Sequence, residues 1–306
     1  MPAHIIDELD YYLLQTENTR LPLRSEILES IPDDVSGIFY VCRNIMEHYQ
    51  GINAGNISRL RYPEIEMDKV SDILQALIDN GVTDLSKPVP LGKKVIGNCF
   101  NIAKLAVSFM RYKGIPARLR YAYCTYFNHK NNPNVNSEQV LAEYWCAEKQ
   151  RWFRGDPSMN WEILDHLGIN VDVDFLDVSK QLSQPISDVW LNCRTQQWNF
   201  DDYGVSLDIS RRRAGMGHVA LKMTHDLACL NHIELYAFDF ISPAKRFQQE
   251  INLRPHDFDT LASLLHSEHF TQFRFTNKTI PFSTLPRRVL RKSPITGVTL
   301  KKGINK

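Results

Sequence analysis

Apolar residues recur at helical spacing three times within the first ninety positions. Ile5, Ile6, Leu9, Leu13 and Leu14 trace one stripe. Val35 to Tyr49 traces a second and opens behind Asp33-Asp34, a natural cap. Met67 to Ile78 traces a third and stops at Asn80-Gly81. Leu85 to Gly97, broken by Pro88 and Pro90, reads as a connecting loop.

The rhythm then changes. Asn98 to Tyr112 predicts an amphipathic helix, ended by Lys113-Gly114 with Pro116 just beyond. Ala117 to Phe127 is tyrosine-rich and strand-like, and residues 128–138 form a polar loop. Gln139 to Ala147 and Trp152 to Gly155 predict a hairpin turned at Glu148-Lys149-Gln150. Alternation places Gln139, Leu141, Glu143 and Trp145 on one face of its first strand. Beyond Pro157, residues Asn160 to Leu167, Val178 to Arg194 and Val219 to Leu230 read as helices. This order predicts an α+β protein. It is divided into an N-terminal helical region (1–84), a core (85–170), a helical extension (171–285) and a basic tail (286–306). The tail holds Arg287, Arg288, Arg291, Lys292, Lys301, Lys302 and Lys306 without an acid, and reads as solvated chain or as a surface for an acidic partner.

Composition narrows the function. A net charge of +1 over 306 residues argues against a nucleic-acid binder. No apolar run reaches the ~20 residues a membrane span needs, and the start MPAHIIDELDYYLL lacks the basic cluster of a targeting segment. A cytoplasmic protein without a membrane role is therefore expected. The six cysteines are scattered without a CxxC pair, which points to reduced thiols. His225, Cys229 and His232 share helical spacing, and His266 and His269 lie three apart. Neither set has an evident fourth ligand, so no metal and no cofactor are expected.

Candidate chemistry centres on Cys99 in VIGNCFNIAKLAVSFMRYKGIPARLRY. A cysteine in the first turn of a helix either packs as a small apolar residue or serves as a nucleophile. The helix start stabilises a thiolate, and its unpaired N–H groups can hold an oxyanion. The order of cysteine helix, GIPAR turn, strand, polar loop, hairpin and Asp-Pro resembles the transglutaminase-like (papain-type) superfamily. The resemblance is close for a bacterial group of these proteins, related to amide-forming homologues. The resemblance rests on Cys99 to Ala103, Gly114 to Arg118, Ala142 to Trp145, Arg151 to Asp156, Asp202 to Val205 and His225 to Leu235, and covers residues 90–240.

The resemblance implies a helix bearing the cysteine packed on an antiparallel sheet, with helical additions at both ends, and a Cys/His/Asp site. Cys99 and Asp156 fill the first and third positions, but the histidine position reads Gln139, which cannot carry a proton. His129 in the polar loop is an alternative base. Asp156 is either the surviving member of the triad or a turn aspartate before Pro157. Asn98, Glu143 and Trp145 are candidate substrate-binding residues, although Trp145 with Trp152 also suits hairpin core.

Without a general acid, a thioester donor suits the site better than an amide, because a thiolate leaves unassisted. The implied function is acyl transfer through an acyl-Cys99 intermediate to an amine acceptor, with the donor on an acyl or peptidyl carrier protein. The alternatives are a non-catalytic binding relative and an amide hydrolase or cross-linker.

Overall fold

The computed structural model describes residues 7–22, 26–127, 136–205, 213–241, 255–266, 288–293, 295–297 and 299–303. The chain divides into two compact units. The first is Met1–Arg120 with Val140–Ser179, and the second is Tyr121–Gln139 with Lys180–Lys306. These cuts differ from the linear division read from sequence, because two long strands pass from one unit to the other.

In the first unit the N-terminal stripe yields only one short turn of helix, α1 (Glu8–Tyr11). The second stripe forms α2 (Val35–Ile45), capped by Asp34, whose carboxylate accepts the Gly37 N–H at 2.8 Å. The helix ends early. Residues expected to continue it form β1 (Met46–His48), which pairs in parallel with β2 (Val95–Gly97), inside the segment expected to be loop. Pairing across fifty residues overrides the local helical pattern. The third stripe forms α3 (Val70–Asp79), closed at Gly81 in the left-handed region.

The predicted cysteine helix is α4 (Cys99–Tyr112), ended before Gly114 at φ 76. It is buried along nearly its whole length. β3 (Ala117–Cys124) follows, and β4 (Asn136–Cys146) pairs with β5 (Arg151–Gly155) from Ala142↔Gly155 to Cys146↔Arg151. β3 and β4 are neighbours in the sheet, so a mixed α+β core is present as expected. α5 (Trp161–His166) is capped by Asn160.

In the second unit, β6 (Ser183–Pro185) pairs with the end of β3, and α6 (Ile186–Arg194) begins only after Pro185. The longer helix expected from Val178 is thus half replaced by strand and turn. β7 (Tyr203–Val205) pairs with Asn136 and Ser137 at the start of β4, and β8 (Arg213–Ala214) pairs with β7. α7 (Met216–Leu230) is the buried helix of this unit. β9 (Asp239–Ile241), β10 (Arg288–Lys292) and β11 (Thr299–Gly303) form a separate antiparallel sheet. The basic tail therefore contains a hairpin rather than only solvated chain. Arg291 is buried and holds Asp239 through two hydrogen bonds of 2.7 and 3.0 Å.

Candidate active site

Cys99 is the first residue of α4, and its surroundings hold that helix start still. Asn98 and Asn101 form a reciprocal capping box: the Asn98 side chain accepts the Asn101 N–H at 3.2 Å, and the Asn101 side chain accepts the Asn98 N–H at 3.0 Å. Asn101 also donates to the Met67 carbonyl at 3.1 Å, and Lys104 donates to the Asp68 carbonyl. Gly97 permits the close approach that brings β2 into the turn. A Cβ there would stand 2.5 Å from the Met46 side chain and 3.1 Å from Asn101. Asn98, expected from sequence as a substrate ligand, is 5% exposed and caps the helix.

All six cysteines are unbridged thiols. Cys42, Cys124, Cys193 and Cys229 are buried. Burial pushes the Cys42 thiol far above its ordinary value and the Cys193 thiol up to about 12. Cys99 is half-buried at a helix N-terminus, whereas Cys146, also half-buried, ends a strand. Position and access together single out Cys99 as the thiol suited to chemistry.

Tyr49 is a neighbour that sequence reasoning missed. Its backbone N–H donates to the Gly97 carbonyl at 2.9 Å, extending the β1–β2 register toward Asn98 and Cys99. Its ring stacks on His48 (5.2 Å between centroids) and meets the edge of Tyr62 at 6.3 Å. Burial, reinforced by the charge of Cys99, raises the phenol well above the usual tyrosine range. Tyr49 therefore stays protonated, with a hydroxyl hydrogen to donate. No local signal marks this residue, because strand pairing brings it there.

Asp156 follows the last residue of β5 and is fully buried. One carboxylate oxygen accepts both the Ser158 N–H (2.9 Å) and the Ser158 hydroxyl (2.6 Å), so the turn reading is realised. α2 supplies the setting. Phe39 lies so close to Gly155 that a Cβ there would be 2.4 Å from the ring. One turn on, Arg43 donates to the Pro157 carbonyl at 3.3 Å and feels the Asp156 charge.

Glu143, expected from sequence to bind substrate, is the centre of an ion cluster. Its oxygens accept from Arg118 (2.7 Å), Arg120 (3.0 Å) and Arg154 (3.3 Å), all buried. Burial alone would raise its carboxyl, but the three guanidinium groups outweigh it and hold Glu143 far below the usual carboxylate range. Trp145 meets the edge of Trp152 at 5.8 Å, and Arg118 lies 3.9 Å over the Trp152 ring. This fits hairpin packing better than a substrate cage.

In the second unit, Gln139 is buried at 5% exposure on β4. Glu138 beside it accepts from Lys222 at 2.8 Å and lies 3.0 Å from His218 Nε2. His218 and His225 are core residues, whereas His129 and His269 lie outside the described residues. Among the described residues, no group of three or more His, Cys, Asp or Glu is placed to hold a metal ion. No helix among them is long and apolar enough to cross a membrane.

These features define an α+β core that presents a thiol at the start of a buried, tightly capped helix. Residues 62–157 match the family model of the transglutaminase-like superfamily, and this stretch is a transglutaminase-like core. The match includes Cys99, Gln139 and Asp156. No curated protein and no solved structure matches the chain.

Proposed function

We propose that the protein is a cysteine-dependent acyltransferase that forms an amide from a thioester-activated acyl donor and an amine. The observation that carries this reading is the half-buried Cys99 thiol at the capped start of α4, inside a transglutaminase-like core. The Cys99 thiolate attacks the donor carbonyl, a new C–S bond forms, and the donor's own sulfur leaves as thiolate. The amine then attacks the acyl-Cys99 carbonyl, loses its proton to solvent and releases the Cys99 thiolate. Backbone N–H groups of the first turn of α4 and the protonated Tyr49 phenol supply hydrogen bonds to the developing oxyanion.

Gln139 favours this chemistry over amide cleavage. An amine leaving group requires a general acid, which an amide side chain cannot be, whereas a thiolate leaves on its own. A carrier-protein donor fits the same logic, since such proteins present acyl groups as thioesters.

The test is to incubate the protein with acetyl-pantetheine and read intact mass. One acetyl group on Cys99, removed by hydroxylamine and absent in Cys99→Ala, is expected. Wild-type protein that never acquires the adduct would rule out the acyltransferase and favour the non-catalytic reading that Gln139 also permits.

A further inference from the structure

We infer that Lys104 is a positioning residue for the Cys99 thiol, because it holds the Met67 carbonyl to which the Asn101 side chain is tied. The inference rests on the reading of Cys99 as the nucleophile, and every group in it belongs to the first unit.

Asn101 is the pivot. Its side-chain amide is used at both ends: the oxygen accepts the Asn98 N–H at 3.0 Å, and the nitrogen donates to the Met67 carbonyl at 3.1 Å. Gly97 sets a third boundary, since a Cβ there would stand 3.1 Å from Asn101 Cβ. Wherever the Met67 carbonyl sits, the amide plane follows. With it goes the Asn98 cap, one residue ahead of the sulfur.

Lys104 fixes that carbonyl. One turn further along α4, its Nζ lies 3.4 Å from the Met67 oxygen and also donates to the Asp68 carbonyl. The ammonium stands 4.9 Å from the centre of the Phe100 ring, and the residue is buried. Asn101 and Lys104 lie three apart on one helix face, so α4 grips the link into α3 at two points.

Packing does not account for a lysine here. Burying an ammonium carries a desolvation cost that a methionine of similar length would avoid. What the ammonium adds is a fixed place for two main-chain oxygens, which an apolar side chain cannot hold. A fixed Met67 carbonyl keeps the capping box closed, and a closed box keeps the first turn of α4 in the geometry that favours a thiolate.

The test uses the full chain and follows iodoacetamide alkylation of Cys99, read by peptide mass, as a function of pH. The variants are Lys104→Met, Asn101→Ala, the two combined, and Lys104→Arg. Loss of helix-start stabilisation should raise the alkylation midpoint by about 0.2–0.7 pH unit in each single neutral variant. The combined variant should shift no further than Asn101→Ala, because Lys104 acts through Asn101. Lys104→Arg keeps the charge and its donors and should return the midpoint to the wild-type value. Should Lys104→Met not fold, Lys104→Gln, a neutral donor one atom shorter, takes its place in the same comparison. A lowered melting temperature with an unmoved midpoint would overturn the inference and leave Lys104 a stability residue. Additive shifts in the combined variant would also overturn it, since the ammonium would then act on the sulfur without Asn101. Both results leave acyl-Cys99 chemistry in place if acetyl-pantetheine still acetylates the wild-type thiol. A wild-type protein that forms no acyl-Cys99 would overturn both.

Discussion

Three guanidinium groups converging on Glu143 make that carboxylate the residue whose loss should cost the first unit most. Removing one member of a buried ion cluster strands its partners without a counter-charge, at roughly 3–5 kcal/mol. Glu143→Gln should therefore lower the urea midpoint of unfolding by an amount corresponding to about that energy. The neighbouring surface residue Glu148→Gln should have almost no effect, because it is exposed. Gln139→His makes the converse point, since on the proposed function it introduces a titratable group at the position the resemblance assigns to a histidine. The substitution should add amide cleavage, seen as release of amine from a short glutamine-containing peptide, with a pH dependence near that of histidine. A variant with no such activity would remove the assignment of residue 139 to the histidine position. At this scale motif and alternation in the sequence pointed to Cys99, Gln139 and Asp156 as candidates, and they placed Cys99 at a helix start and Gln139 on a strand, as the structure has them. It concealed Tyr49 and Arg43, whose contacts with Gly97 and Pro157 join residues far apart in the chain. It did not reveal that Asn98 caps a helix and Glu143 anchors an ion cluster, because a cap and an ion cluster use the same polar residue types as a binding site.

The element that matters most is the first turn of α4. Its capping box satisfies N–H groups that would otherwise lack partners and fixes the helix start that bears the Cys99 thiol. Asn98→Ala should cost about 1 kcal/mol of stability. It should also slow iodoacetamide alkylation of Cys99 below pH 8, while leaving the rate above the thiol's ordinary pKa nearly unchanged. Equal alkylation at both pH values would mean the cap does not tune the sulfur. The long elements α3, α4, β4 and α7 were legible because period and stop signals agree: Gly81 and Gly114 both adopt the left-handed backbone their helix ends require. The three-residue strands β1, β2 and β6 were not legible. They are too short to show a period, and partners far along the chain recruit them from segments that look helical or loop-like. The β10–β11 hairpin was hidden for another reason: its cations suggested solvation, yet Arg291 is buried against Asp239 and Tyr236.

On the scale of the whole molecule, buried ionisable groups set a pH dependence whose sign can be worked out. Burial, helped by the Lys222 charge, pushes His225 down to about 3, and burial also lowers His218 against the pull of Glu138. For a base whose folded pKa is depressed, the unfolded chain binds the proton first, below its own value of about 6.5. Stability therefore falls as pH drops from about 6.5 toward the folded value, and is flat above it. Glu138, held at about 2, acts in a lower window. Its contribution is complete above the unfolded value of about 4.3 and is lost only as pH falls from there toward 2. Melting temperature should thus be level from pH 8 to 7, begin to fall below about 6.5 and steepen below about 4.5. His225→Gln should flatten the upper part of that slope, even if its overall stability is lower, since the group that titrates there is gone. A wild-type melting temperature constant down to pH 5 would show that burial does not hold the α7 histidines in the neutral form.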